Sequence, residues 1–400
     1  MTKKSIEAKN GIIASLFLFQ YSLLIPLMRI INPTILVAVS GIVLMATAFF
    51  INRRIVINLK SWIVIAVLLI IMLTKSMFDG TELIVVIRFL MIAIPPILVF
   101  SYRFDTAVFV NTCCKLSLLN FLLLALIPFL PFFDYSSRYY MRFGYGMVVT
   151  VLFSYIAILN GKNKKDEKRS SIVLRKLLYI LVFAFSLVES IVYGSRGVLL
   201  VILSFVAIVT LLIYKENRKR NFFLVVTGFA VVLNLESILN WLIDVSSKFG
   251  VKSYALSKYK YQLMYGLEEA SSGRDSLYRT ALETIHENPF FGAKMINYDD
   301  SLYVHNLFLQ VGRDMGVLAM IISVFFVGYC IFVLWKKKIG NDDKIIIAVI
   351  FCVSVVRLLV SSNIWERPEF WILVCLILNY NAFFDAASVV DKKQYLQTDE

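Results

Sequence analysis

The sequence predicts an all-α, polytopic integral membrane protein of about 12 (10–12) transmembrane helices with one large outer loop. Three observations carry this. Hydrophobic residues make up 59% of the 400 residues and charged residues only 17%, against roughly 45–50% and about 25% in soluble proteins. Too few charges exist to solvate a surface of that size. Apolar runs recur along the chain at the length that lets a helix cross a bilayer, about 20 residues. The net charge of +14, from 41 Lys and Arg against 27 Asp and Glu, gathers in short connections on one side, as the positive-inside rule requires. That distribution explains the charge without nucleic acid.

Taken in order, the candidate spans are 11–30, 34–51, 61–73, 82–100, 107–130, 144–159, 177–193, 197–214, 222–243, 316–335, 345–360 and 370–384. The third is short, and little more than Asn32-Pro33 separates the first two. Lys3, Lys4 and Lys9 precede an apolar run too long for a signal core, with no small-x-small site after it, so the first span reads as uncleaved. Twelve crossings place both termini in the cytoplasm. The basic connections at 53–60, 162–176, 215–220 and 336–344 then share that side as solvated turns, with lipid head-group attraction a minor role. The organisation reads as residues 1–243 with nine helices, 244–315 as the outer loop, and 316–400 with three helices and a cytoplasmic tail. No internal repeat stands out. Cys113, Cys114, Cys330, Cys352 and Cys375 all lie in apolar runs and read as small buried hydrophobes, neither disulfides nor metal ligands.

The outer loop holds both histidines, His286 and His305, and structureless loops of this length are usually functional or separately folded. Its first part interleaves Tyr254, Tyr259, Tyr261 and Tyr265 with Lys252, Lys258 and Lys260. Aromatic faces beside cations suit a sugar or an anionic head group, and they also suit a plain interfacial segment. Next, Ser272 and Asp275 can cap a helix start, Leu277, Ala281, Leu282 and Ile285 line one face, and Pro289 ends the helix. Arg274 sits at that helix's N-terminal edge, where backbone N–H groups and the dipole favour an anion. The loop closes on a helical pattern that puts His305, Leu309, Gly312, Arg313 and Gly316 on one face. An imidazole titrates near neutrality and can act as a general base.

Arg88 and Arg357 lie inside spans, and Arg196 opens another in Tyr193-Gly194-Ser195-Arg196-Gly197. An arginine at the bilayer centre costs about 2.5–3.5 kcal/mol on insertion scales. Such groups face a cavity or a partner, and guanidinium groups bind phosphate bidentately at any working pH. Ion pairs, for example with Glu189 or Glu236, or snorkelling are the alternatives. Lys115 reads as structural.

Three segments in order resemble the O-antigen polymerase and O-antigen ligase superfamily of bacterial cell-envelope glycosyltransferases. They are Ser195-Arg196-Gly197, then Gly273-Arg274-Asp275 with the helix ending Asn288-Pro289-Phe290-Phe291-Gly292, then Tyr303-Val304-His305-Asn306-Leu307-Phe308-Leu309-Gln310 with Gly312 and Gly316. The resemblance covers about a quarter of the chain. It implies a site on the outer face of the bacterial cytoplasmic membrane and a donor of sugar units on a polyprenyl diphosphate. It implies an inverting, metal-independent transfer with no cofactor. By motif match, Arg196 and Arg274 would hold the diphosphate and His305 would deprotonate the acceptor hydroxyl, with Arg279 a weaker candidate for the phosphate role. From their placement inside spans Arg88 and Arg357 are further candidates for the same anion, and from the aromatic–cation pattern Tyr254, Tyr259 and Tyr261 are candidate sugar contacts. Charge building on the departing diphosphate would be stabilised by fixed guanidinium groups. Asp299-Asp300 reads as a turn, with a cation or sugar contact as the alternative. Expected partners are the lipid-linked donor and acceptor, the bilayer, and a chain-length regulator and flippase of the same pathway. Polymerase is the favoured role. A ligase acting on a different acceptor and a carrier of lipid-linked oligosaccharide are the alternatives, although a carrier more often shows repeated halves and broken helices.

Overall fold

The computed structural model describes residues 2–127, 137–160, 169–213, 234–248, 250, 253–269, 274–295, 303–336 and 340–380. Among them are fifteen α-helices: α1 Lys3–Leu24, α2 Pro33–Asn52, α3 Leu59–Phe78, α4 Leu83–Ser101, α5 Thr106–Leu124, α6 Ser137–Leu159, α7 Arg169–Tyr193, α8 Arg196–Ile208, α9 Leu235–Lys248, α10 Tyr254–Glu269, α11 Arg274–Glu287, α12 Leu307–Met315, α13 Val317–Trp335, α14 Asn341–Phe351 and α15 Pro368–Leu378. Eight, α1 to α7 and α13, are long and apolar enough to cross a membrane. Among the described residues every regular element is helical, and the chain is a polytopic membrane protein.

The differences from the sequence reading have local causes. The third span does not stop at Leu73. It runs on through Thr74, Lys75 and Ser76 to Phe78, because Lys75 finds acceptors inside the protein. The eighth and twelfth expected spans appear as shorter apolar helices, Gly197–Leu211 and Pro368–Leu378. The eleventh begins earlier, at Asn341, and passes into a π-helical segment, Cys352–Val356. Most of the expected ninth span lies outside the described residues, as do Asp299-Asp300, Ser272 and the end of the twelfth. The segment read as the outer loop, 244–315, carries helices for much of its length: the end of α9, then α10, α11 and α12.

The chain divides into two compact units that cut across the expected linear division. The first is Met1–Leu18, Val37–Phe109 and Asp275–Glu400; the second is Phe19–Leu36 and Val110–Arg274. The core of the first unit is α4 against α15, where Phe89 meets Trp371 edge-on at 5.2 Å and Trp365 at 6.1 Å. Small and polar side chains join its helices, as is usual where lipid supplies no hydrophobic drive. Asn379 Nδ2 donates to Ser61 Oγ at 2.9 Å, and Gly41 seats against Pro95. The second unit is built on α6 against α7. There Asn120 Nδ2 donates to Gly146 O at 3.1 Å and Thr150 Oγ1 at 2.8 Å, and Tyr179 OH donates to Cys114 O at 3.2 Å. All five cysteines are buried, and none of them forms a disulfide.

Candidate functional site

Within the first unit, His305 stands just ahead of α12 and not on it. Its φ is +56°, left-handed backbone that costs a non-glycine residue about 1–2 kcal/mol. The helical-face projection from the sequence therefore does not apply to His305. Two local devices hold the strained turn. Asn306 is the N-cap of α12, its Oδ1 accepting from Phe308 N at 3.0 Å and Leu309 N at 3.2 Å, and such caps contribute about 1 kcal/mol. On the other side, Val304 N donates to Gln310 Oε1 at 3.0 Å. The Tyr303 ring lies 4.0 Å from the imidazole, tilted by 44°.

Gln310 is itself fixed. Its Nε2 donates to Asp314 Oδ2 at 2.5 Å. Asp314 is fully buried and also accepts from Trp365 Nε1 at 2.8 Å and from Arg313 at 3.1 and 3.2 Å. Trp365 belongs to a 3-10 turn, Ile364–Glu366, whose N-cap Asn363 accepts from Trp365 N. A chain of hydrogen bonds thus runs from the histidine turn through α12 to a tryptophan wedged beside Phe89 of α4.

The helix end before this turn is locked to the helix end after it. Gly292 has φ +69°, and a Cβ there would lie 2.5 Å from Arg313 O; Gly316 has φ +88°, and a Cβ there would strike the carbonyl of Phe290. Only glycine fits either place. Ala293 N donates to Arg313 O and Val317 N to Pro289 O, both at 2.7 Å. At Gly312 a Cβ would lie 2.9 Å from Ile285 of α11. The Asn288–Gly292 and Gly312–Gly316 stretches are therefore two halves of one joint.

Lys75 closes the joint from below. It is buried at the end of α3, and its Nζ donates to Phe291 O at 2.9 Å and Gly292 O at 3.2 Å while pairing with Asp79 Oδ2 at 2.9 Å. Asp79 Oδ1 accepts from Thr81 N and Oγ1, Thr81 Oγ1 accepts from Met295 N, and Glu82 N donates to Met295 O. Burial alone would raise the Asp79 carboxyl, but the hydrogen bonds from Lys75 and Thr81 and the Lys75 charge outweigh it and hold it below its ordinary value. The sequence reading missed Lys75, Gln310, Asp314 and Trp365. A lysine in Thr74-Lys75-Ser76 at the end of an apolar run was the available signal.

The arginines fall out differently. Arg88 Nη1 lies 3.6 Å from Glu366 Oε1, half-exposed on both sides; Arg357 Nη1 lies 3.8 Å from Glu369 Oε1, both buried. Each has the carboxylate that the ion-pair alternative required, though neither Glu189 nor Glu236 is that partner. Arg279 is exposed on α11, and His286 is exposed near its end.

The second unit holds the other candidates. Arg196 is the first residue of α8, with Ser195 as its N-cap. The turn before it is tight: a Cβ at Gly144 would lie 2.7 Å from Gly194 Cα. α10 begins beside this turn, because Ser253 Oγ donates to Val192 O and accepts from Leu256 N at 3.0 Å. α10 buries Tyr259 and exposes Tyr261, so these two do not present one face; the Tyr254 side chain lies outside the described residues. Arg274 opens α11, half-buried. No protein-family model matches this chain, and no curated protein matches it in sequence.

Proposed function

We propose that this chain is a polysaccharide polymerase of the bacterial cytoplasmic membrane. It transfers a growing glycan from polyprenyl diphosphate to a hydroxyl of a new lipid-linked repeat unit on the outer face. The observation that carries the reading is the mount of His305. His305 is held in left-handed backbone by Asn306 and Gln310, just ahead of a helix jointed by Gly292 and Gly316 to the preceding motif segment. Fixing an acid–base group this firmly is what positioned catalysis requires.

In this scheme His305 accepts the acceptor hydroxyl proton as the oxygen attacks the anomeric carbon. The bond from that carbon to the diphosphate oxygen breaks, and the diphosphate leaves with the electron pair. Arg196 and Arg274 receive the resulting charge. Arg88 and Arg357 already face carboxylates and serve to hold Glu366 and Glu369.

The test is purified protein in lipid with the lipid-linked repeat unit as the sole sugar substrate. A polymerase yields a ladder on a gel. A product only when a foreign acceptor is added would indicate a ligase, and transport of unmodified substrate across vesicles would indicate a carrier. Arg274→Ala should weaken donor binding by one to two orders of magnitude, given about 1.5–3 kcal/mol for a hydrogen bond to a charged group. Unchanged donor affinity would remove Arg274 from the site.

A further inference from the structure

Phe290 and Phe291 are 81% and 74% exposed at the tip of the turn between α11 and the histidine segment. Their backbone is not free to move. Phe291 O accepts from Lys75 Nζ, one turn from the end of the membrane-crossing helix α3, and Pro289 O accepts from Val317 N, the first residue of the membrane-crossing helix α13. The turn is therefore pinned at the depth where two spans end. Both spans expose apolar stripes that belong against lipid: Ile63, Val67, Ile70 and Met77 on α3, and Leu318, Ile322, Phe325 and Phe332 on α13. Met77 and Phe78 extend the α3 stripe to the same level, at 81% and 84% exposed.

From this continuity we infer that Phe290 and Phe291 insert into the bilayer, as a hydrophobic foot seated among the outer ends of the acyl chains. Phenylalanine has no polar tip to keep at head-group level, and apolar anchors of this kind reach about 5–10 Å into the head-group and acyl boundary. Two such rings left in water beside a lipid-facing stripe would forgo that burial. Because the turn is jointed to α12 through Gly292 and Gly316, the foot sets the height of His305 above the membrane. The inference stands on the helix ends and does not rest on the glycosyltransferase reading.

Phe290→Cys and Phe291→Cys, each carrying an environment-sensitive nitrobenzoxadiazole label, test it in the full chain. The five native cysteines are buried, and the unsubstituted chain serves as the labelling blank. The protein is placed in phosphatidylethanolamine–phosphatidylglycerol vesicles. Quenching is compared between doxyl groups on the lipid chains and iodide in the water. Glu287→Cys, exposed on the last residue of α11, gives the aqueous signal. The expected result is strong quenching by lipid doxyl at 290 and 291, with several-fold less iodide quenching than at 287. Iodide quenching equal to that at 287 would overturn the inference. Shielding from both quenchers would also overturn it, since a second copy or another protein would then cover the rings. If one variant inserts poorly, the other gives the same readout.

Discussion

Arg357 and Glu369 face each other at 3.8 Å inside the first unit, both largely buried. Removing one member of such a pair strands the other, at about 3–5 kcal/mol. Arg357→Ala should therefore lower the thermal unfolding midpoint in detergent markedly. Arg88→Ala breaks a half-exposed pair and should cost no more than about 1 kcal/mol. At this scale the sequence exposed the cost of Arg88 and Arg357 but not their partners. Glu366 and Glu369 follow a span boundary, and nothing in spacing pairs them with arginines on other helices.

The joint of Gly292 and Gly316 belongs to the scale of elements. Gly316→Ala adds a Cβ against the Phe290 carbonyl at φ +88°, and strained backbone of this kind costs on the order of 1–3 kcal/mol before the collision is counted. Lys75→Met removes two charge-assisted hydrogen bonds and the partner of Asp79, about 1.5–3 kcal/mol per bond to a charged group. Both changes should open residues 289–295 to limited proteolysis while leaving α4 and α15 protected. Protection unchanged in both would mean that the joint is not what holds the turn. The helix after Gly273 and its ending at Pro289 were legible from periodicity and the proline, and α11 runs Arg274–Glu287. The position of His305 was not, because helical periodicity carries past a cap that only the Asn306 geometry reveals. The length of α3 was hidden for a related reason: a lysine ends a hydropathy window even where two carbonyls and a carboxylate receive it.

Over the whole molecule, membrane character was legible because it depends on composition alone, and the eight described crossing helices bear it out. The division into two units was not legible. It joins the first and last parts of the chain through contacts such as Lys75 with Phe291 and Asn379 with Ser61, which no local pattern announces. Lys75 with Phe291 and Val317 with Pro289 likewise bring the end of α3 and the start of α13 onto one turn. In the proposed reaction the His305 imidazole is the general base. Polymer formation from lipid-linked repeat unit by His305→Ala and His305→Gln tests this, with His286→Ala as the control on the exposed histidine of α11. Both His305 variants should fold and insert normally yet lose the ladder, by about two to four orders of magnitude for a missing general base, while His286→Ala retains it. A full ladder from folded His305→Ala would contradict the general-base role.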